Sequence, residues 1–169
     1  MDARGIVDRF VEALDREDFQ AAARVIAPGC AYVFRGREVR GREAIVASYA
    51  DAAAWARESF DEIRYESKIK DEEDGETGGT PVPPGGREKE KTTGGTPVPP
   101  GEEGGKRRFR VRFVDLTLHR GVRHRHECEQ VVLVGPSGLI EQIEHVDLPG
   151  ERERLGAFFA RVGVKARGD

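Results

Sequence analysis

Cysteine, methionine and tryptophan are scarce in this chain: it has two, one and one of them in 169 residues. Two cysteines, Cys30 and Cys128, do not make a disulfide framework. Long apolar runs are missing as well. None approaches the ~20 residues that cross a bilayer, so no membrane partner is expected. The N-terminus is charged from Asp2 onward and lacks the apolar stretch of a secretory leader. A soluble protein of a reducing cytoplasm is the expectation. Charge of one sign is also lacking, with a net charge of −3. The one basic run, Lys106 to Arg112, reads as the solvated face of a strand, so no nucleic acid partner is expected. No phosphate loop, nucleophile motif or complete metal set is written in the chain, and no cofactor is implied.

What is present divides unevenly. Residues 71–106 carry almost no large apolar side chains, and TGGTPVPPG occurs there twice, at Thr77–Gly85 and Thr93–Gly101. Proline forbids helix and paired strand at these positions, and the Gly-Gly pairs maximise chain entropy. The segment is expected to be a disordered insert at a hairpin tip, within a single domain of residues 1–162 followed by a tail at 163–169. Each repeat holds a P-x-x-P tract that a polyproline-binding partner can read.

The rest alternates between two periods. Ile6, Val7, Phe10, Val11 and Leu14 form a helical stripe, Phe19 to Ile26 a second helix, and Arg42 to about Glu58 a third. Strands are expected at Cys30–Phe34, Phe60–Lys70, Arg108–His119, Val122–Val134 and Leu139–Leu148, with turns at Arg35-Gly36, Arg120-Gly121 and Gly135–Gly138. A short helix with Leu155, Phe158, Phe159 and Val162 closes the chain. Apolar phase slips by one residue at Val114-Asp115, which predicts a bulge or a strand covered on both faces. Strands joined by hairpins predict an α+β fold in which a strongly curved antiparallel sheet packs on three N-terminal helices. Arg108–Arg112 and Glu127–Glu129 offer opposite charges on the sheet, and pairing of two copies through them is expected to give a homodimer.

Several segments resemble one known family. Ala27–Phe34 (APGCAYVF), then Val39–Ile45 (VRGREAI), and Gln130–Val134 followed by Gly138–Ile143 are similar to the SnoaL-like branch of the nuclear transport factor 2-like superfamily. The resemblance runs over about residues 3–70 and 107–162 in family order. It implies a cone-shaped α+β barrel with a central pocket, often in a homodimer. Superfamily members include isomerases, polyketide cyclases, epoxide hydrolases and proteins with no catalysis. The isomerases' base carboxylate falls near Phe34, which cannot replace it, and their acid near Gln130. The epoxide hydrolases' Arg-x-Asp meets Arg112-Phe113-Val114-Asp115 here, with altered spacing, and their second acid falls near His145.

The candidate site follows from these readings. Asp115 interrupts an apolar run, and a carboxylate turned inward there would be desolvated and suited to proton transfer. His145 and Asp147 alternate onto one face, a histidine beside an acid, although two residues along a strand is ~6.6–7 Å. Asp115, His145 and Gln130 are the candidate catalytic residues. Tyr32, Phe34, Trp55, Phe113 and Val132 are the expected ligand contacts. His124, His126 and Cys128 share a strand face and are weak candidates for a metal. The expected partner is a small apolar molecule. The function expected is small-molecule binding; a cyclase-, isomerase- or hydratase-type enzyme and a module recruiting through its proline-rich loop are the alternatives.

Overall fold

The computed structural model describes residues 2–74 and 105–167. Both TGGTPVPPG repeats, and most of the insert read from the sequence, lie outside the described residues. Helix α1 spans Ala3–Asp15 and α2 Phe19–Val25. Each begins on an aspartate whose side chain accepts a backbone N–H three residues on: Asp2 from Gly5 at 2.7 Å and Asp18 from Ala21 at 3.0 Å. Strands β1 (Ile26–Phe34) and β2 (Arg37–Arg40) follow, then α3 (Arg42–Ser59), β3 (Glu62–Asp74), β4 (Arg107–His119), β5 (Val122–Val134), β6 (Ile140–Asp147) and α4 (Glu151–Val162).

Among the described residues there is one six-stranded sheet, in the order β2-β1-β6-β5-β4-β3. It curves around α1, α2 and α3. The tight turns β1–β2 and β4–β5 each place two residues at positive φ, Arg35 and Gly36 at 47° and 80° and Arg120 and Gly121 at 48° and 75°. That pair of angles is the two-residue turn whose twist matches antiparallel strands, and glycine at its second position adopts it without strain. The stripe predicted for α1 is buried throughout, with Val7 and Phe10 fully enclosed. Phe10 packs with Ile26, Ile45, Phe109, Val132 and Ile143, so one core joins the helices to the concave side of the sheet. A second cluster at the far end gathers Ala56, Phe60, Phe158, Phe159 and Val162, with Trp55 against it.

Four expectations need correction or sharpening. The sheet is not wholly antiparallel, because β1 runs parallel to β6, Tyr32 beside Ile143. No hairpin joins these two strands, and the long crossover between them leaves either direction open. The slip at Val114-Asp115 is not a bulge, since the β4–β5 register is unbroken from end to end. Both faces are instead partly covered, and the irregularity sits on β3, between Ile69 and Asp71. Strand β3 also runs on to Asp74, four residues into the segment assigned to the insert. Finally, the arginines of β4 and the glutamates of β5 pair within the chain. Arg112 reaches Glu129 at 2.6 Å and Glu127 at 2.7 Å, and Arg110 reaches Glu129 at 3.0 Å. Charges satisfied across adjacent strands supply little attraction for a second copy.

Helix α4 is fastened by a buried acid. Strand β6 pairs with β5 only from Cys128 onward, so β5 before that residue has a free edge on this side. Glu151, 4% exposed, accepts the Glu127 N–H at 2.9 Å and closes that edge. The His124 ring lies flat on Phe158, 4.6 Å between centroids and 9° between planes. Glu151→Ala strands a buried N–H and is expected to cost about 1–3 kcal/mol. A lowered urea midpoint together with faster exchange of the Glu127 amide is the expected reading, and an unchanged amide counts against the fastening.

Candidate functional site on the concave face

Alternation along the strands decides which side chains look toward the helices. On β4 that face carries Phe109, Val111, Phe113, Asp115 and Thr117. Register then places Tyr65 of β3 and His126 of β5 opposite Asp115, and His145 of β6 opposite Gln130. Asp115, Gln130 and His145, named separately from the sequence, therefore stand on one concave surface.

Asp115 is half-buried. No hydrogen bond to its carboxyl occurs among the described residues. Loss of hydration pushes it up to about 6, and the nearby Asp15 carboxylate adds to the rise. An acid of that strength exchanges a proton near neutral pH.

At the β1–β6 junction a histidine and an aspartate are in direct contact. His145 Nε2 lies 3.1 Å from Asp147 Oδ1, so the spacing along the strand does not hold the pair apart. The two side chains lean toward each other from the same face. Arg35, from the turn after β1, grips Asp147 with both Nε and Nη2 at 2.8 Å. These bonds hold the Asp147 carboxyl far below the usual carboxylate range, against the burial that opposes them. Burial lowers the His145 imidazole below its ordinary value, and the bond to Asp147 partly restores it. A neutral His145 that donates from Nε2 to Asp147 leaves Nδ1 as a basic lone pair. Phe34 covers one side of that ring at 4.6 Å.

Helix α3 supplies the roof. Tyr49 donates its hydroxyl to Gln130 Oε1 at 3.0 Å and stacks on Tyr32 at 5.4 Å. Burial raises both phenols well above the usual value, so each stays a neutral donor. Of the expected ligand contacts, Tyr32, Phe34 and Phe113 border this face. Val132 is fully buried core, and Trp55 belongs to the far cluster with Phe60 and Phe159. His124, His126 and Cys128 do share a face, but their side chains diverge. His124 stacks on Phe158, while His126 Nδ1 sits 3.3 Å from Glu151. Among the described residues no three His, Cys, Asp or Glu side chains converge as metal ligands do.

Two depressions lie on the helical surface: one of 230 Å³ beside Arg9, Arg16 and Arg24, and one of 470 Å³ beside Gln20, Arg42 and Glu43. Sequence reasoning missed Arg35, Tyr49 as a hydrogen-bond donor, and Asp15. Arg35 is 112 residues from its partner, and nothing local marks it. Asp15 looked only like a helix end.

Among the described residues, no helix is long and apolar enough to cross a membrane. No family model matches the sequence, and no curated protein does. Solved structures do. Aln2 from a Streptomyces species is similar at a TM-score of 0.56 and 15% identity, over 85% of this chain and 86% of that one. A candidate polyketide cyclase from Xanthomonas campestris pv. campestris is similar at 0.52 and 16%, over 95% and 96%. An LEH-like epoxide hydrolase of M. tuberculosis is similar at 0.51 and 16%, over 94% and 96%. At such identities the likeness is one of fold alone: the chain shares with these structures an α+β fold in which a curved sheet wraps around N-terminal helices.

Proposed function

We propose that the concave face binds a small, mostly apolar molecule and that Asp115 exchanges a proton with it. The observation that carries this is the unpaired Asp115 carboxyl, poised near pH 6 on a face it shares with Phe109, Val111 and Phe113 of its own strand. Gln130, whose Oε1 is held by the Tyr49 hydroxyl, has its amide N–H groups to offer to a carbonyl or hydroxyl of such a molecule. His145, oriented by Asp147 and Arg35, supplies a second group that accepts a proton. The named neighbours include a candidate polyketide cyclase and an epoxide hydrolase, which fits this class of ligand by analogy of fold.

Phe34 and Tyr32 are the aromatic side chains nearest the polar groups. A flat aromatic probe such as 1-naphthol or an anthraquinone tests the reading. Amide and side-chain shifts are expected to concentrate on Tyr32, Phe34, Asp115, Gln130 and His145. Shifts confined to the helical depressions, or none at millimolar probe, would refute it. Self-association through the outer face of the sheet is part of the proposal, since Val131, Leu133 and Val146 are only half-buried there. Recruitment through the proline tracts concerns residues outside those described, and nothing described here favours it.

A further inference from the structure

Asp15 is the last residue of α1, where the helix macrodipole presents its negative end. A carboxylate is unfavourable there. This one is also half-buried and points at the sheet. Ser67 of β3 receives it with two donors, the backbone N–H at 3.0 Å and the hydroxyl at 2.5 Å. Ser67 and Tyr65 share the concave face of β3, and Tyr65 stands opposite Asp115. Ser67 is thus the diagonal neighbour of Asp115, about 7–8 Å away across the strands. Asp15 hangs from α1 into that same space.

We propose that Asp15 is a positioning residue for Asp115, its carboxylate, held by Ser67 in the same poorly hydrated space, favouring the protonated form of Asp115. The inference rests on the reading of Asp115 as the site's proton donor and acceptor.

The surroundings fit. Two carboxyls in one poorly hydrated space do not both ionise readily, and the proton stays on the one with fewer donors. Ser67 gives Asp15 two, whereas Asp115 has none among the described residues. From β3 the facing groups are Tyr65 and, beside Asp15, Glu66; from β5 they are His126 and Cys128. Burial pushes His126 down to about 4, so it is neutral in the relevant range. Arg57 of α3, near Tyr65, spends its Nε on Glu17 at 2.7 Å. Asp15 contacts no reacting atom in this scheme. Its action is electrostatic.

The test is a carboxyl-carbon NMR titration of the full chain, with Asp115 assigned by its loss in Asp115→Asn. In the parent the Asp115 midpoint is expected near 6. In Asp15→Asn, which keeps an oxygen for Ser67, the midpoint is expected to fall part of the way, since burial is the larger cause of the rise and remains. In Ser67→Ala, which weakens the hold on Asp15 without removing its charge, the Asp15 and Asp115 midpoints are expected to approach each other. A high parent midpoint unmoved in both variants overturns the role of Asp15 alone. A parent midpoint in the solvent range overturns the reading of Asp115 itself. If Asp15→Asn does not fold, Ser67→Ala carries the same decision.

Discussion

Asp115→Asn is expected to melt above the parent at pH 7.5 and level with it at pH 4. The sign follows from proton uptake. The folded Asp115 titrates near 6, above the 3.8 of a free aspartate, so between these values the folded chain holds more protons than the unfolded one. Stability contributed by the neutral acid is therefore full below about pH 4 and is lost as pH rises through 6. Above that, the folded state carries a poorly hydrated charge at a penalty of about 2–3 kcal/mol, an order-of-magnitude conversion of that displacement. An amide of the same shape never ionises and escapes the penalty, less the cost of its own unpaired N–H groups. Melts of both proteins across pH 4 to 8 check it. A difference that does not widen with pH places Asp115 in water and removes the best acid from the site. Any proton exchange with a bound molecule is expected to disappear in the same variant, since the amide has no proton to give at these pH values.

Phe10→Ala is expected to cost about 3–5 kcal/mol, the usual range for an enclosed phenylalanine. Phe10 is fully buried where α1 meets the sheet, and its ring meets Tyr49 edge-on at 6.1 Å. The loss is expected to reach the site as well as the core. Tyr49 stacks on Tyr32 and bonds Gln130, so a cavity behind its ring loosens the contact that orients the Gln130 amide. Urea unfolding gives the energy, and the Tyr49 ring resonances report the loosening. Phe10→Leu refills most of the volume and is expected to keep more than half of the lost stability. A loss below about 1 kcal/mol for Phe10→Ala would mean that the core does not close on α1 as described.

How far the sequence speaks depends on the distance over which a signal acts. The stripe of α1, the turns at Arg35-Gly36 and Arg120-Gly121, and the alternation of β3, β4 and β5 are local patterns, and each is an element in the structure. An interrupted apolar run singled out Asp115, and the family resemblance Gln130 and His145, without showing that one surface unites them. Register across three strands does that, and register is set by hairpins that a list of strands leaves open. What escaped is long-range. The parallel β1–β6 pair, the grip of Arg35 on Asp147 and the bond from Ser67 to Asp15 each join residues more than fifty positions apart. The charges of β4 and β5 were read correctly as complementary but assigned to a second copy, because sequence does not say which neighbour a side chain meets first. The phase slip at Val114 was ambiguous for a related reason: an outer face made of half-buried Leu116 and Leu118 mimics a shifted inner one.

The parallel neighbours β1 and β6 lie at opposite ends of the chain, Tyr32 against Ile143. On the ribosome, β1 emerges more than a hundred residues before the strand that fills its open side. Until then it has only β2 to pair with, and half its backbone donors face water or a chaperone. Arg35 waits equally long for Asp147, so no nascent chain shorter than about the end of β6 owns a complete site. Closure of this one seam is also a long-loop step, which slows folding more than it weakens the product. Translation arrest anywhere before Ile140 therefore leaves a sheet with an unfilled slot, and such a slot is where a foreign strand adds most easily.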